Sequence, residues 1–356
     1  MRRKAYTLTA KALKQIDFGI HRWADSLSAF FMSIKQKALL YQRVRSAMSS
    51  TGWHWFAYHF QTWPPHPFAQ SLLESCARLD LRMPGLGEQF LLDVARIGGK
   101  EKHYPDYDQL MQKLSEILVL LRIVELNWPE GTTFTHEPEG SPGGKRPELL
   151  VVSPGQNFLF EVKAPSLLNH QLLRSQNGTQ LPSRGIPLEL AKATAGEGGL
   201  TLPRDNPVKD FLIDADAKFA PFKPKADYTS VLIILWDDFI YEPITALAHA
   251  KSGLLTANSF AKDASGNPLT FPNIDAVVLI RHLLYFQRFA GDAVTPERAH
   301  AFDFGDEASL PNVIFPMASG RTIPTFIVDG LRALPLDHPF LQCAAEYRPS
   351  DIIWWT

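Results

Sequence analysis

The sequence predicts an α/β fold: a mixed central sheet flanked by helices, with a helical region before it and a strand-containing extension after it. Three observations carry this. Between about residues 88 and 290 the hydrophobic pattern runs helix, three strands, helix, strand, helix, strand. The three successive strand segments are separated only by "EGSPGGKR" and "PGQ", both turn-forming, which implies an antiparallel meander. Two later segments, "YTSVLIILWDD" and "NIDAVVLIRH", are the nearly continuous apolar runs that fill buried strands.

Residues 1–85 read as a basic, helical N-terminal region. In "ADSLSAFFMSIKQKALLYQRVRSAM" the apolar Leu27, Phe31, Ile34, Ala38 and Val44 recur at helical spacing with basic residues between them. The stretch "TGWHWFAYHFQTWPPHPF" carries Trp53, Trp55, Phe56, Tyr58, Phe60 and Trp63. These rings can stack on bases, but packing a helix against its neighbours is the commoner use of such a cluster. Pro64, Pro65 and Pro67 break the pattern, and "MPGLG" marks a boundary near residue 85.

The core is expected over residues 86–290. "EQFLLDVARIG" is a short helix closed by Gly98 and Gly99. A longer helix, "DYDQLMQKLSEILVLLRIVEL", places Leu110, Leu114, Ile117, Leu118, Leu121 and Val124 on its buried side. The strands "TTFTHEP", "PELLVVS" and "NFLFEVKAP" follow. Residues 166–206, rich in Asn, Gln, Gly and Pro, read as a long irregular segment of the kind that is functional or disordered. Helix returns at "PVKDFLIDADAKFAPF", where Pro207 suits a first turn. "PITALAHAKSGLLTANSFAK" and "LLYFQRFAG" are expected helices alternating with the two apolar strands. The extension, 291–356, holds short strands and turns in "AFDFG", "NVIFP" and "TIPTFIV", and ends "DIIWWT".

At 356 residues the chain suits one large domain with additions, or two domains, and 45% hydrophobic against 21% charged residues is ordinary for a protein with a real core. The net charge of -1 hides an asymmetry: residues 1–50 hold ten Lys or Arg against Asp17 and Asp25. A basic front end on an acidic body is compatible with a polyanionic partner and equally with a solvated helical face. Two cysteines without CxxC spacing argue against a disulfide scaffold and a structural zinc site. The N-terminus has no unbroken apolar stretch, and no run approaches a membrane span, so a cytoplasmic protein without a membrane partner is expected.

The chemistry concentrates in "RPELLVVSPGQNFLFEVKAP". Glu161 and Lys163 share one face of a strand whose other face is Phe158, Phe160 and Val162. Glu148 opens the preceding strand; if the two pair antiparallel, Glu148 and Glu161 lie together at one edge. Adjacent buried carboxylates are costly unless a cation neutralises them, and hard oxygen ligands select Mg²⁺ or Mn²⁺. Glu116, inside the apolar helix, is a third candidate acid, with Glu125 near the helix end as its competitor. The plain alternative for Glu161 and Lys163 is an edge-strand salt bridge.

This arrangement resembles the PD-(D/E)xK nuclease superfamily: an acid after proline on one strand and (D/E)-x-K on the next, inside an αβββαβ core. The resemblance spans roughly residues 88–290 and implies a restriction-endonuclease-like fold. It further implies a nuclease that hydrolyses phosphodiester bonds with a metal-activated water, DNA being the expected substrate. Glu148, Glu161 and Lys163 are then the core catalytic residues and Glu116 the helix acid. Glu148, Glu161 and Val162 would hold Mg²⁺, with Mn²⁺ able to substitute. The first acid is Glu148 where the family more often has Asp, and the insertion after Lys163 is longer than a minimal core needs. Gln180 and Arg184 in that insertion, and Lys209 and Lys218 on the returning helix, are candidate nucleic-acid contacts. A catalytically inactive nucleic-acid- or partner-binding module on the same fold is the rival reading. The basic N-terminal helices are expected to touch nucleic acid, a protein partner or a second copy.

Other chemistries lack support. The eleven histidines form no HxH or HExxH arrangement, so a histidine-based zinc site is not expected, and no GxSxG or phosphate-binding GxxxxGK[ST] loop is present. Paired carboxylates also serve glycoside hydrolysis, but Lys163 would have no role there.

Overall fold

The computed structural model describes residues 38–224, 227–293, 295–307, 309–317 and 321–354. Most of the basic N-terminal segment, residues 1–37, lies outside them. Helix α1 (38–51) buries Leu40, Tyr41, Val44 and Met48, one stripe at helical spacing. Helix α2 (Pro67–Arg82) starts with Pro67 in its first turn, and the His66 side chain accepts a hydrogen bond from Phe68 N. Helix α3 (Leu86–Arg96) packs tightly on α2 through Gly87, where a Cβ would overlap the Cys76 carbonyl. The expected boundary at 83–87 is thus a turn between two helices of one core, which runs continuously from Leu40 to Tyr347.

Helix α4 (Tyr104–Val124) buries the predicted Leu110, Leu114, Ile117, Leu118, Leu121 and Val124, and also Met111, Glu116, Leu120 and Ile123. It is enclosed nearly all round, because α2 and α3 cover the side turned away from the sheet. The aromatic stretch ahead of it is mainly packing: Trp55 meets Tyr107 edge-on at 5.0 Å, and Phe56 lies 4.9 Å from Phe68.

Strands β1 (Thr133–His136), β2 (Leu149–Ser153) and β3 (Gln156–Lys163) form the expected antiparallel meander. The β2–β3 turn is Pro154–Gly155 between paired Ser153 and Gln156, with Gly155 at φ +83°, a conformation only glycine adopts cheaply. The two apolar runs are β6 (Tyr228–Trp236) and β7 (Ala276–Arg281), once two short strands of the insertion are numbered β4 (Thr179–Gln180) and β5 (Leu200–Thr201). β6 lies parallel to β3 and to β7. Two tail strands, β8 (Asn312–Pro316) and β9 (Ala333–Pro335), complete a seven-stranded mixed sheet in the order β1-β2-β3-β6-β7-β8-β9.

Residues 166–206 are more ordered than their composition suggests. They hold helices α5 (Leu168–Gln176) and α6 (Leu188–Ala195) and, with β10 (Ile353–Trp354) of the tail, a small three-stranded sheet β10-β4-β5. Helix α7 (Asp205–Phe219) then leads into β6. Helix α8 (Tyr241–Ala248) is shorter than the sequence pattern suggests, because the chain folds back tightly at Gly253, whose nitrogen donates to His249 O. Helix α9 (Leu283–Ala290) follows β7 as expected. In the extension "NVIFP" is a strand, but "AFDFG" forms turns. "TIPTFIV" contributes helix α10 (Thr325–Gly330), started after Pro324 and pinned by buried Ile327. A last short helix, α11 (Pro339–Cys343), precedes β10. Among the described residues no helix is long and apolar enough to cross a membrane.

Candidate metal centre

The register assembles the site. Leu149 pairs with Phe160 and His136 with Leu149, so one step further Glu137, Glu148 and Glu161 stand in a row across three strands. Glu137 N donates to Glu148 O at 3.0 Å, which fixes the end of that row. Helix α4 adds Glu116, and helix α7 adds Asp214 and Lys218, four residues apart on one face.

Glu161 is fully buried. Its Oε1 accepts from Lys218 at 2.5 Å and meets Lys163 at 2.9 Å. Its Oε2 is enclosed and has no hydrogen-bond partner. Lys218 also reaches Glu148 Oε1 at 3.7 Å, so its ammonium bridges the two acids. Lys163 extends to Asp214 at 2.7 Å, and Asp214 takes a second lysine, Lys145, at 2.5 Å. Glu116, 5% exposed, pairs with Lys113 one turn earlier on α4. The competing Glu125 is engaged elsewhere, held by both Arg78 Nε at 2.8 Å and Arg78 Nη2 at 2.5 Å. Glu116 is therefore the helix acid that belongs to the cluster.

These charges are strained by their burial. Desolvation, then the neighbouring Glu116 and Glu161, push the Glu148 carboxyl up to about 8. Burial likewise raises Glu116, against the pull of Lys113. Burial also acts to raise Asp214, but hydrogen bonds from Lys145 and Lys163 outweigh it and hold that carboxyl at about 2. Lys163 is desolvated too, yet Glu161 and Asp214 raise it above the ordinary lysine value, so it stays an ammonium at neutral pH.

No family model, no curated protein and no solved structure matches the chain. The site therefore rests on its own geometry. The donor set is carboxylate-rich, one fully buried carboxylate oxygen is unanswered, and Glu148 is held by its neighbours where ionisation is costly. A hard divalent cation relieves all three conditions, so the residues fit such an ion. Val162, fully buried by its side chain between Glu161 and Lys163, could contribute only its main-chain carbonyl.

The candidate nucleic-acid contacts separate into two groups. Gln180 is removed from that role: it is fully buried, its amide donating to Glu242 at 2.5 Å and accepting from the Tyr241 hydroxyl. Lys218 is also not a surface contact, since its side chain is turned into the acidic cluster. Arg184 remains partly exposed, clamped to Asp205 at 2.6 and 2.9 Å and lying over the Phe260 ring. Lys209 stays near the surface beside Asp210.

Three features were not singled out from the sequence. His136 and Glu137 join the row from the end of β1; "THEP" is the only signal, and it says nothing of register. Asp214 required knowing which face of α7 turns inward. The third is a buried network that ties the insertion to the sheet. Glu242 accepts from His170 at 3.0 Å, Arg174 at 2.8 Å, Gln180, and Trp236 Nε1 at 2.9 Å, while Arg174 also binds Asp237 at 2.9 Å. A cleft of about 500 Å³ beside it is lined by Gln171, Arg174, Asp237, Phe239, Leu284 and Arg288, among others. It lies just past the carboxyl end of β6 and does not include the acidic row.

Proposed function

We propose that the chain is a metal-dependent nuclease of the PD-(D/E)xK type, hydrolysing phosphodiester bonds in DNA. The observation that carries this reading is Glu161: a fully buried carboxylate with one unanswered oxygen, opposite Glu148 and two residues from Lys163. With the inserted α5, β4, α6 and β5 set aside, the order α4-β1-β2-β3-α7-β6, with an antiparallel meander and β6 parallel to β3, supports a restriction-endonuclease-like core.

In this role Glu148, Glu161 and the Val162 carbonyl hold Mg²⁺ or Mn²⁺, and the bound ion supplies Lewis-acid polarisation of a phosphoryl oxygen. Lys163, kept cationic by Glu161 and Asp214, is a hydrogen-bond donor. It orients the attacking water and balances charge developing on the phosphate. Asp214 fixes the direction of that ammonium. Glu116 lies where it can hold a water at the margin of the row. Arg184 and Lys209 are left to meet the phosphate backbone.

The Lys218 bridge favours a second reading, a binding module without catalysis, because an ammonium already partly neutralises Glu148 and Glu161. The deciding experiment offers supercoiled plasmid, single-stranded DNA and RNA with Mg²⁺ or Mn²⁺ to the wild type, Glu161→Gln and Lys163→Ala. The nuclease reading expects metal-dependent DNA cleavage that falls about a hundredfold or more in both variants. Binding without cleavage under every condition selects the module.

A further inference from the structure

β3 and β6 run parallel, so the cleft past the carboxyl end of β6 lies on the sheet edge where Lys163 ends β3. Ile234 pairs with Lys163, and Asp237, three residues further on, lines the cleft. At about 3.3 Å per residue and about 4.8 Å between strands, Lys163 and Asp237 stand on the order of 11 Å apart. Trp236, two residues past Ile234, faces the side of the sheet that carries Lys163. Its indole donates to Glu242 in the network beside the cleft. Arg204 spans the interval: it donates to Ser166 O, three residues past Lys163, and its guanidinium lies in the field of Glu242 and Asp237.

The lining selects against a charged ligand. Arg174 is answered by Asp237 at 2.9 Å and Glu242 at 2.8 Å, Asp238 pairs with Arg281, and Arg288 pairs with Glu297 at 3.6 Å. Among the described residues of the wall, every charge therefore has a partner. What remains is the apolar surface of Phe239 and Leu284 and the amides of Gln171, Asn177 and Gln287. An amide sets a donor beside an acceptor, the pattern that matches the edge of a nucleobase, and apolar walls suit the faces of its ring. The Arg174 guanidinium lies 3.4 Å from the centre of the Phe239 ring, which holds that wall in place. Gln287 Nε2 reaches Gln171 Oε1 only at 3.4 Å, a weak bond that a ligand can replace. The volume of about 500 Å³ is that of a small-molecule site.

We infer that this cleft receives an unpaired base of the strand on which the acidic row acts. Gln171, Asn177 and Gln287 read the edge of that base, and Phe239 and Leu284 pack on its ring. The inference deepens the nuclease reading, on which the choice of a nucleic-acid strand as ligand rests, but it uses none of the residues of the row.

The test measures binding of a short fluorescent single-stranded DNA by anisotropy for the wild type, Ser175→Trp and Gln287→Leu. The cleft uses no metal, so a chelator keeps the strand whole. Ser175 lines the cleft and is exposed on α5, so tryptophan there fills the space without entering the core. A second set of strands carries an abasic position at each nucleotide in turn. On the wild type, one abasic position weakens binding about tenfold. Each variant weakens the intact strand by a similar factor and adds nothing on that abasic strand. Intact-strand binding at wild-type strength by both variants overturns the inference, as does equal binding of every abasic strand, or no strand binding at all. Adenosine, cytidine, guanosine and thymidine are offered as competitors. A cleft that holds a free nucleoside, and loses it in Gln287→Leu, while the strand is indifferent to abasic positions overturns the strand as occupant. Mg²⁺-dependent cleavage that needs Glu161 but ignores both cleft variants and every abasic position overturns this inference and keeps the nuclease reading. Base-dependent binding lost in both variants, without cleavage under any metal condition, keeps the cleft and overturns that reading.

Discussion

Replacing Glu148 with glutamine should stabilise the metal-free protein, and by an amount that grows with pH. The Glu148 carboxyl sits at about 8 in the fold against an ordinary 4.5, because burial and then Glu116 and Glu161 oppose its charge. Below pH 4.5 it is protonated in both folded and unfolded chains and contributes no pH dependence. Between 4.5 and 8 the folded chain keeps a proton that the unfolded chain releases, so stability falls as pH rises, and the loss is complete above 8. At 1.36 kcal/mol per pH unit the full penalty is roughly 5 kcal/mol. Glu116 shares the same burden, so about 2 kcal/mol is a sensible expectation for the single substitution at pH 8.5. Glutamine keeps the shape of the protonated acid and carries no charge, so its advantage should vanish near pH 4.5. Urea unfolding in the presence of a chelator, at pH 4.5, 6.5 and 8.5, measures this directly. A variant no more stable than wild type at pH 8.5, or one whose gain is the same at all three values, refutes the electrostatic account of the row. The same substitution should abolish DNA cleavage, since a group that destabilises the apoprotein is the one the ion requires.

The other expectations concern the surrounding charges. Asp214→Asn should cost roughly 1–2 kcal/mol at pH 7, and less at pH 3, because a carboxyl held at about 2 contributes stability above its unfolded value and loses it as pH falls toward 2; paired urea curves at the two pH values read the difference. Arg174→Met should destabilise by about 3–5 kcal/mol, since it strands Glu242 and Asp237 in the interior, and the double variant Arg174→Met, Glu242→Gln should recover part of that loss in the same assay. In DNA-binding titrations at several salt concentrations, Arg184→Ala and Lys209→Ala should each lower the salt slope by about 1, whereas Gln180→Ala should leave it unchanged.

What could be read from the sequence followed the strength of the local period. Glu161 and Lys163 were visible because, after the apolar Leu159, the strand alternates apolar and charged residues from Phe160 to Lys163. The meander was visible because Pro154 and Gly155 leave room only for a tight turn. Register was not visible, and it is register that brings Glu137 and His136 beside Glu148. The insertion failed for a different reason. Helices α5 and α6 are only nine and eight residues long, and Leu172, Leu173, Leu188 and Leu190 are all at least 41% exposed, so little of their apolar content reports a buried face. Polar groups dispersed from His170 to Glu242 anchor that region instead, and no local pattern announces a network of that span. The tail helix α10 was missed because a few residues with β-branched character read as a strand, while Pro324 and the burial of Ile327 decide otherwise.

The two buried carboxylates Glu242 and Glu161 show why a function can be argued for one and not the other. Both are almost wholly enclosed, at 2% and 0% exposed, and both face cationic side chains. Every oxygen of Glu242 is answered: His170, Arg174 and Gln180 meet Oε1, and Trp236 meets Oε2. Those hydrogen bonds and charges lower its proton affinity in spite of burial, so its ionised form is a stable part of the fold. Glu161 has two lysines crowded on Oε1 and nothing on Oε2. Its neighbour Glu148 is driven toward the neutral form by the same surroundings. Folding alone would favour an apolar or fully paired side chain at such a position. What separates the two is therefore one unanswered oxygen, Glu161 Oε2, and that is the atom on which the proposed cation site rests.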